Sequence, residues 1–265
     1  MKIGFIGAGN MGRAIINGWL NQHAVTGEEI YLHSAHRSSY EPYAQAQGLH
    51  ACASNEEVVN QADLVFLAIK PAQLRTVLLE VKAALLRKRP VIVSMIAGCD
   101  LATMRKILDQ AELEMIRIMP NVNVEIAAGM TALTRNEFVT TDHWQEVVSL
   151  FDTIGTTIEL AEDKFSIFAA LAGSSPAFIY FFIDALARAG VKYGLDKVTA
   201  TQIAAQVVQG SAQKTLATTK TPWELVDEVC SPGGTTVAGL LAMEEAGFMT
   251  AVIKGIDATV ARENE

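Results

Sequence analysis

Apolar residues at the start of the chain follow two different periods in succession. Residues 3–6 form a short apolar run of the kind that predicts a buried strand. From residue 11 to residue 20 the apolar positions recur at helical spacing. The pattern predicts a strand, a tight turn at residues 7–9, and a helix.

Similar apolar runs recur through the first half of the chain. The run at residues 63–69 is apolar almost throughout, which is typical of a strand buried on both faces of a sheet. Further strands are predicted at residues 29–34, 90–97, 114–120 and 129–134, and a short helix with Asn55 as its N-cap. Strands that alternate with helices favour right-handed crossovers and a mostly parallel sheet.

The second half is predicted to be almost entirely helical. Glycine turns and β-branched runs fade after Ile158, and helices are predicted at about residues 163–172, 176–193, 196–218, 222–229 and 235–262. The predicted fold is an α/β Rossmann-like dinucleotide-binding domain over residues 1–160, followed by an all-α domain over residues 161–265.

One apolar stretch in the helical half is long enough to suggest a membrane span. Residues 165–183 carry no charge. The polar segment Gly-Ser-Ser-Pro at residues 173–176 interrupts it, and Pro176 suits the first turn of a new helix. We therefore expect two buried helices joined at a polar turn, and no membrane as a partner.

Composition narrows the class of protein. The chain has 265 residues, of which 50% are hydrophobic and 19% charged, as in a globular protein. Its net charge of −8 argues against nucleic acid or an anionic membrane as a partner. Cys52, Cys99 and Cys230 are odd in number and widely spaced, so neither a disulfide framework nor a metal site is expected. With no signal peptide before the first strand, a cytoplasmic location is predicted.

Three glycines between the first strand and the first helix form the pattern G-x-G-x-x-G. Gly7 permits the tight bend, Gly9 lets a pyrophosphate approach the backbone, and Gly12 allows close packing of helix on strand. The helix N-terminus adds free N–H groups and the positive end of a dipole. A dinucleotide site is predicted here.

The end of the second predicted strand indicates which dinucleotide binds. NAD-binding chains usually carry an acidic residue there, but this chain has no acid before Glu41. Arg37, with the hydroxyls of Ser34 and Ser38, would hold a 2′-phosphate through charge-assisted hydrogen bonds. NADPH is therefore favoured over NADH, although Arg37 as a solvated loop residue is the alternative.

The helical half contains one polar cluster that suits an anion, S-P-G-G-T-T at residues 231–236. Gly233 and Gly234 let the backbone fold into a concave run of N–H groups before a helix, which suits a carboxylate. Thr236 offers a hydroxyl beside that anion. An ordinary N-cap formed by Thr235 or Thr236 is the alternative.

The helical half lacks the usual proton-transfer groups. All five histidines, His23, His33, His36, His50 and His143, lie in the first domain, and no lysine occurs between Lys164 and Lys192. A dehydrogenase acting on an alcohol must move the hydroxyl proton, whereas an iminium ion accepts hydride on carbon without one. This favours reduction of a C=N bond, with a tyrosine, a carboxylate or a water chain open as alternative proton carriers.

Residues 227–239, with residues 244–248 behind them, resemble the signature of the pyrroline-5-carboxylate reductase family. Shorter matches occur in order along the chain, at residues 4–9, 68–71, 94–98, 117–121, 171–177 and 189–192. The resemblance implies reduction of 1-pyrroline-5-carboxylate to L-proline by hydride transfer from NADPH, with NADH possible, as the last step of proline biosynthesis. It also implies a C-terminal dimerisation domain, and a homodimer that assembles into a larger homo-oligomer such as a decamer.

The resemblance also implies roles for single residues. Thr236 would be the catalytic residue and would hydrogen-bond the ring nitrogen, while the backbone of residues 233–235 would hold the substrate carboxylate. The predicted substrate site comprises Glu162, Ser174, Ser175, Ser231, Gly233, Gly234, Thr235 and Thr236. The predicted cofactor site comprises Gly7, Ala8, Gly9, Asn10, Met11, Gly12, Ser34, Arg37, Ser38, Asn55, Ile69, Lys70, Pro71 and Ala97.

Two other functions fit parts of the pattern. Another imine reductase or a β-hydroxyacid reductase would share the two-domain plan, but hydroxyacid enzymes of this type use a lysine at the start of the helical domain, which this chain lacks. A sensor that binds NADPH without turnover would keep the glycine pattern but would not need the segment at residues 231–236.

Overall fold

In the computed structural model, which describes residues 1–263, eight strands form one sheet. The strands are β1 (Ile3–Ile6), β2 (Ile30–His33), β3 (His50–Ala51), β4 (Leu64–Leu67), β5 (Val91–Ser94), β6 (Met115–Met119), β7 (Gly129–Arg135) and β8 (Gly155–Glu159). Their order across the sheet is β3-β2-β1-β4-β5-β6-β7-β8.

Neighbouring strands are parallel throughout except at one junction, where β6 and β7 are antiparallel. The prediction of a mostly parallel sheet in a Rossmann-like domain is confirmed. The strand order runs 3-2-1 on one side of β1 and continues with β4 on the other. The chain therefore reverses its direction of progress across the sheet between β1 and β4, which is where open α/β sheets bind ligands.

Helices cover both faces of this sheet. They are α1 (Asn10–Asn21), α2 (Arg37–Gln47), α3 (Asn55–Gln61), α4 (Leu74–Lys88), α5 (Leu101–Ile107) and α6 (Thr141–Asp152). On one face Trp19 of α1 packs against Phe66 of β4 and Phe151 of α6, and its indole N–H donates to the carbonyl of Leu150 at 2.9 Å. Residues of α3, α4 and α5 form a second core on the other face, because side chains alternate across each strand.

The second half is helical, as predicted. It contains α7 (Phe165–Phe168), a π-helical segment (Ala169–Ser174), α8 (Ser175–Lys192), α9 (Lys197–Leu216), α10 (Pro222–Val229), α11 (Thr235–Glu245) and α12 (Phe248–Glu263). Internal contacts divide the described chain into one unit of residues 1–173 and another of residues 174–263. The boundary near residue 160 stays a prediction.

Two predicted features of the helical half are wrong. The polar turn expected at residues 173–176 is absent, because the backbone continues through a π-helical segment directly into α8. The single helix expected at residues 235–262 is two helices bent by 47°, and Gly247, with φ +79°, lies at the break. Glycine adopts this backbone conformation without the steric cost that other residues carry.

The apolar helices are also less buried than predicted. By length and composition, the helical stretch Glu162–Lys192 could cross a membrane. Its most apolar 18-residue segment has a mean hydropathy of 1.7, and 11% of that segment is buried. In α8 the one buried residue is Ala187. A large apolar surface in this half is therefore open to a partner of some kind.

Candidate active site

A cavity of about 740 Å³ lies at the carboxyl ends of β1 and β4, where the strand order reverses. Its volume is within the range of about 300–1,000 Å³ that is usual for ligand sites. It is lined by Ile6, Gly7, Ala8, Gly9, Asn10, Arg13, His33, Ser34, Ala35, His36, Ser39, Asn55, Ala68, Ile69, Lys70, Gln73, Val77 and Glu80.

Two positions in the loop after β1, called the glycine loop below, are glycine for different physical reasons. Gly7 has φ +106°, and a Cβ built on it would lie 2.3 Å from the carbonyl oxygen of Ala68, so the fold itself requires glycine. Gly9 has φ −73°, and a Cβ built on it would meet no atom within 4 Å. The protein therefore has room for a side chain at residue 9, and the bare backbone there suits a ligand that approaches closely, as the pyrophosphate does in this motif.

Asn55 does not cap α3 as the sequence analysis expected. The N-cap is Ser54, whose hydroxyl accepts a hydrogen bond from the amide of Glu57 at 3.1 Å. Asn55 is buried instead, with its Oδ1 2.7 Å from His33 Nδ1 and its Nδ2 donating to the carboxylate of Glu80. These contacts hold the amide in the wall of the cavity, which suits the predicted cofactor role.

Most of the predicted cofactor residues line the cavity, and some do not. Those in the lining are Gly7, Ala8, Gly9, Asn10, Ser34, Asn55, Ile69 and Lys70. Those outside it are Met11, Gly12, Arg37, Ser38, Pro71 and Ala97. Met11 packs against the core, and a Cβ on Gly12 would lie 3.3 Å from the carbonyl oxygen of Gly7, in agreement with close packing of α1 on the loop.

The predicted phosphate-binding arginine lies on the surface. Arg37 begins α2, its Nε is 2.6 Å from Glu41, and its side chain is 78% exposed. A role for Arg37 stays a prediction. The lining instead contains Arg13 and Ser39, which the sequence analysis did not single out. A cation in the first turn of α1, the helix that carries the end of the glycine pattern, was the available signal in the sequence.

In the second unit the segment at residues 231–236 forms a tight turn before α11. Gly233 has φ +70°, and the amide of Gly234 donates to the carbonyl of Ser231 at 2.9 Å. Gly234 is the N-cap of α11 and no side chain caps the helix. The alternative of an N-cap by Thr235 or Thr236 is therefore wrong, and both hydroxyls are left exposed at the start of the helix.

Glu162 has protein partners in the first unit. Its Oε1 lies 3.0 Å from Nη1 of Arg117 and accepts a hydrogen bond from the amide of Leu101 at 2.9 Å. Arg117 is 7% exposed and lies over the ring of Phe165 at 4.7 Å. This ion pair neutralises a buried guanidinium, so Glu162 has a structural role that the sequence did not reveal; contact with substrate stays a prediction.

The two remaining predicted residues lie where the first unit ends and the second begins. Ser174 is the last residue of the π-helical segment and Ser175 the first of α8. Their predicted contact with substrate is untested. Within residues 1–263, no group of three or more His, Cys, Asp or Glu side chains is placed to hold a metal ion.

Two family profiles match the chain. Residues 162–265 match the family described as pyrroline-5-carboxylate reductase dimerisation, and residues 2–98 match the family described as NADP oxidoreductase, coenzyme F420-dependent.

Similar proteins cover nearly the full length. The pyrroline-5-carboxylate reductase of Escherichia coli strain K12 is 37% identical over 255 residues, which are 96% of this chain and 94% of that protein. The crystal structure of the 1-pyrroline-5-carboxylate reductase of Streptococcus pyogenes is 40% identical, covers 99% of this chain and 98% of its own, and has a TM-score of 0.88. The pyrroline carboxylate reductase of Plasmodium falciparum, solved with NADP bound, is 26% identical, covers 99% of this chain and 97% of its own, and has a TM-score of 0.89.

The contrast between Gly7 and Gly9 gives a prediction about the cofactor site. Gly9→Ala should lower the thermal midpoint only slightly, because its Cβ meets no protein atom and the one cost is that of a poorer N-cap for α1. It should weaken NADPH binding about tenfold or more. Gly7→Ala should lower both the thermal midpoint and the affinity for NADPH, because its Cβ would overlap the carbonyl of Ala68. Thermal unfolding and titration of NADPH fluorescence measure the two effects. Full NADPH affinity in Gly9→Ala would show that the dinucleotide does not approach this backbone.

A second prediction concerns the buried ion pair. Glu162→Gln should lower the free energy of unfolding by about 3–5 kcal/mol, because it leaves the buried Arg117 without its counter-charge. Glu137→Gln is the matched control: this glutamate pairs with Arg105 but is 62% exposed, so the loss should be below about 1 kcal/mol. Urea unfolding at one fixed protein concentration measures both. Equal stability of the two variants would contradict the structural role of Glu162.

Proposed function

The chain belongs to the pyrroline-5-carboxylate reductase family, and we propose that its catalysis rests on positioning the imine at the turn of residues 231–236. The enzymes of this family are NADP-dependent and reduce 1-pyrroline-5-carboxylate to L-proline in the last step of proline biosynthesis. The alternative reductases and the sensor are not favoured, because relatives at 37% and 40% identity over nearly the whole chain carry this one name.

The cavity in the first unit fits the cofactor. Its glycine loop leaves the backbone bare at Gly9, and α1 begins at Asn10 with its N–H groups toward the loop. NADPH supplies the hydride when it is bound. The residues of this chain bind and orient it: the loop and α1 would hold the pyrophosphate, and Asn55, fixed by His33 and Glu80, would hold the ribose.

The turn of residues 231–236 is the observation that carries the proposal for the substrate. Gly233 has the left-handed backbone and Gly234 starts an eleven-residue helix with no side-chain cap. The uncapped N–H groups and the helix dipole suit the carboxylate of the substrate. The exposed hydroxyl of Thr236 would hydrogen-bond the ring nitrogen and orient the imine carbon toward the hydride donor.

In this mechanism the enzyme need not deliver a proton to the ring nitrogen. A protonated imine accepts hydride directly, and much of the rate enhancement comes from orientation, for which about 7–11 kcal/mol is available in favourable cases. As the hydride adds to carbon, the nitrogen gains a lone pair, and the Thr236 hydroxyl would donate a hydrogen bond to it that strengthens in the transition state. The absence of histidine from residues 161–265 is compatible with this chemistry.

Replacing Thr236 tests the mechanism. Thr236→Ala should lower kcat roughly 10–1000-fold, since one donor of this type is worth about 1.4–4 kcal/mol, and should leave NADPH affinity nearly unchanged. Steady-state oxidation of NADPH with 1-pyrroline-5-carboxylate, followed by absorbance, measures it. Thr141→Ala, the same change at an exposed residue of α6, is the control and should keep wild-type turnover. Wild-type kcat in Thr236→Ala would remove Thr236 from the mechanism.

The family of residues 162–265 is one of dimerisation, and we propose that the functional unit is a homodimer that assembles into a larger ring such as a decamer. Within residues 174–263 only three side chains, Ala187, Ala200 and Ala204, are buried. An apolar cavity of about 360 Å³ opens between α10, α11 and α12, lined by Trp223, Phe248 and Val252 among others. A second copy would cover this surface, rather than a membrane.

Assembly can be tested on the apolar surface of α12. Val252→Glu should reduce the mass in solution from a multiple of the dimer towards the monomer, because a charge would be buried against apolar residues. Lys254→Glu, two residues further on the same helix, is the control and should leave the mass unchanged. Light scattering after size-exclusion chromatography measures both. A monomeric wild-type chain that requires detergent would contradict the homodimer and favour lipid.

A cytoplasmic location is proposed as well. Cys52, Cys99 and Cys230 are free thiols, which suits a reducing compartment. Burial raises the pKa of the Cys52 and Cys99 thiols to about 11, so both stay protonated and unreactive at neutral pH.

A further inference from the structure

The side chain of Arg13 lies on the wall of the dinucleotide cavity and joins two of its loops. Its Nε donates to the carbonyl of Ala8 in the glycine loop at 2.9 Å. Its Nη2 donates to the carbonyl of Ser39 at 2.9 Å and to the hydroxyl of Ser39 at 3.0 Å. The guanidinium is therefore fixed in position between the glycine loop and the first turn of α2.

The aromatic ring of Tyr43 supports the same guanidinium from one side. The ring lies 4.6 Å from Arg13 Cζ, and the phenol donates to Asn17 at 2.8 Å. Burial raises the pKa of Tyr43 to about 12, so the phenol stays neutral and the ring remains a cation–π partner. Arg13 is thus pre-organised, which lowers the entropy that a ligand contact would cost.

The hydrogen bonds of Arg13 leave part of the guanidinium available. Of its five N–H donors, those on Nε and Nη2 are used by Ala8 and Ser39, and those on Nη1 have no acceptor within residues 1–263. The hydroxyl oxygen of Ser39 accepts from Arg13, so its own proton is free to be donated. Two donor groups at this corner of the cavity can therefore reach an anion.

The location of Arg13 and Ser39 in the cavity indicates which anion they contact. Ile6 at the end of β1 pairs with His33 of β2 on one side and with Leu67 of β4 on the other. In this fold the adenine ribose lies beyond the end of the second strand. Ser39 and Arg13 lie on that side, whereas Lys70, the other lysine or arginine of the lining, follows β4. The group that distinguishes NADPH from NADH is the phosphate on that ribose.

We propose that Arg13, with the hydroxyl of Ser39, recognises the 2′-phosphate of NADPH and so sets the preference of the enzyme for this cofactor. The proposal rests on the cofactor given under the proposed function. It differs from the expectation drawn from the sequence, which assigned this phosphate to Arg37. Arg37 is paired with Glu41 and lies outside the lining.

Binding of nucleotide fragments tests the proposal without any turnover. The wild-type enzyme should bind 2′,5′-ADP more tightly than 5′-AMP in isothermal titration. Arg13→Met should weaken 2′,5′-ADP by roughly 10–100-fold, as expected for loss of a charge-assisted hydrogen bond, and should change 5′-AMP less than about threefold. Arg13→Lys keeps the charge and should retain part of the preference.

Arg37→Met is the matched variant and should leave the affinity for both fragments unchanged. Equal weakening of 2′,5′-ADP and 5′-AMP by Arg13→Met would show that Arg13 only holds the loops, and would overturn the proposal. Loss of the preference in Arg37→Met instead would overturn it in favour of Arg37. If the wild-type enzyme failed to reduce 1-pyrroline-5-carboxylate but bound the two fragments as expected, the reaction would be contradicted and the role of Arg13 would be supported.

Discussion

The reversal of strand order between β1 and β4 is the constraint on which the cofactor site depends. The chain passes from β1 to β2 and β3 on one side of β1 and then crosses to β4 on the other side. The loops therefore diverge at the carboxyl end of β1 and leave a crevice. Gly7 directs the chain into that crevice, with a backbone that only glycine adopts without strain and a carbonyl of Ala68 too close for any side chain. Gly9 then presents bare backbone in the lining of the crevice. The core on both faces of the sheet keeps these loops in place.

Patterns that act over a few residues predicted the sheet well. The buried strands are continuous apolar runs, and the glycine motif fixes the turn after β1 by local geometry. Strands β3 and β8 have no clear pattern in the sequence, because β3 has two residues and β8 is mostly exposed. Pairing with a neighbouring strand decides both. Ser54 and Asn55 are both good N-cap residues. Contacts of Asn55 with His33 and Glu80, which are distant in sequence, settle that Ser54 is the cap.

The charged residues of the site were harder to predict, since their partners lie in other elements. Arg37 follows the second strand, as a phosphate ligand would, but α2 begins at that residue and brings Glu41 one turn away. Such i, i+4 pairs form readily on a helix surface. Arg13 has no such neighbour, and the loop carbonyls of Ala8 and Ser39 orient it into the cavity. Likewise the acceptor role of Glu162 towards Arg117 joins residues 45 positions apart.

The helical unit of residues 174–263 carries the turn proposed to bind substrate, and it does not bury enough surface to be stable alone. Its three buried side chains are alanines, and a unit of this size needs a core that removes most of its apolar surface from water. The missing burial must come from other surfaces, and a dimerisation family supplies a second copy for this purpose. Since α11 lines an apolar cavity with α10 and α12, a copy that covers this surface would also help to hold the turn of residues 231–236 in place. If Thr236 acts as proposed, catalysis and oligomerisation are linked through α11, and a mutation on the apolar surface far from Thr236 would act on turnover through the position of this helix.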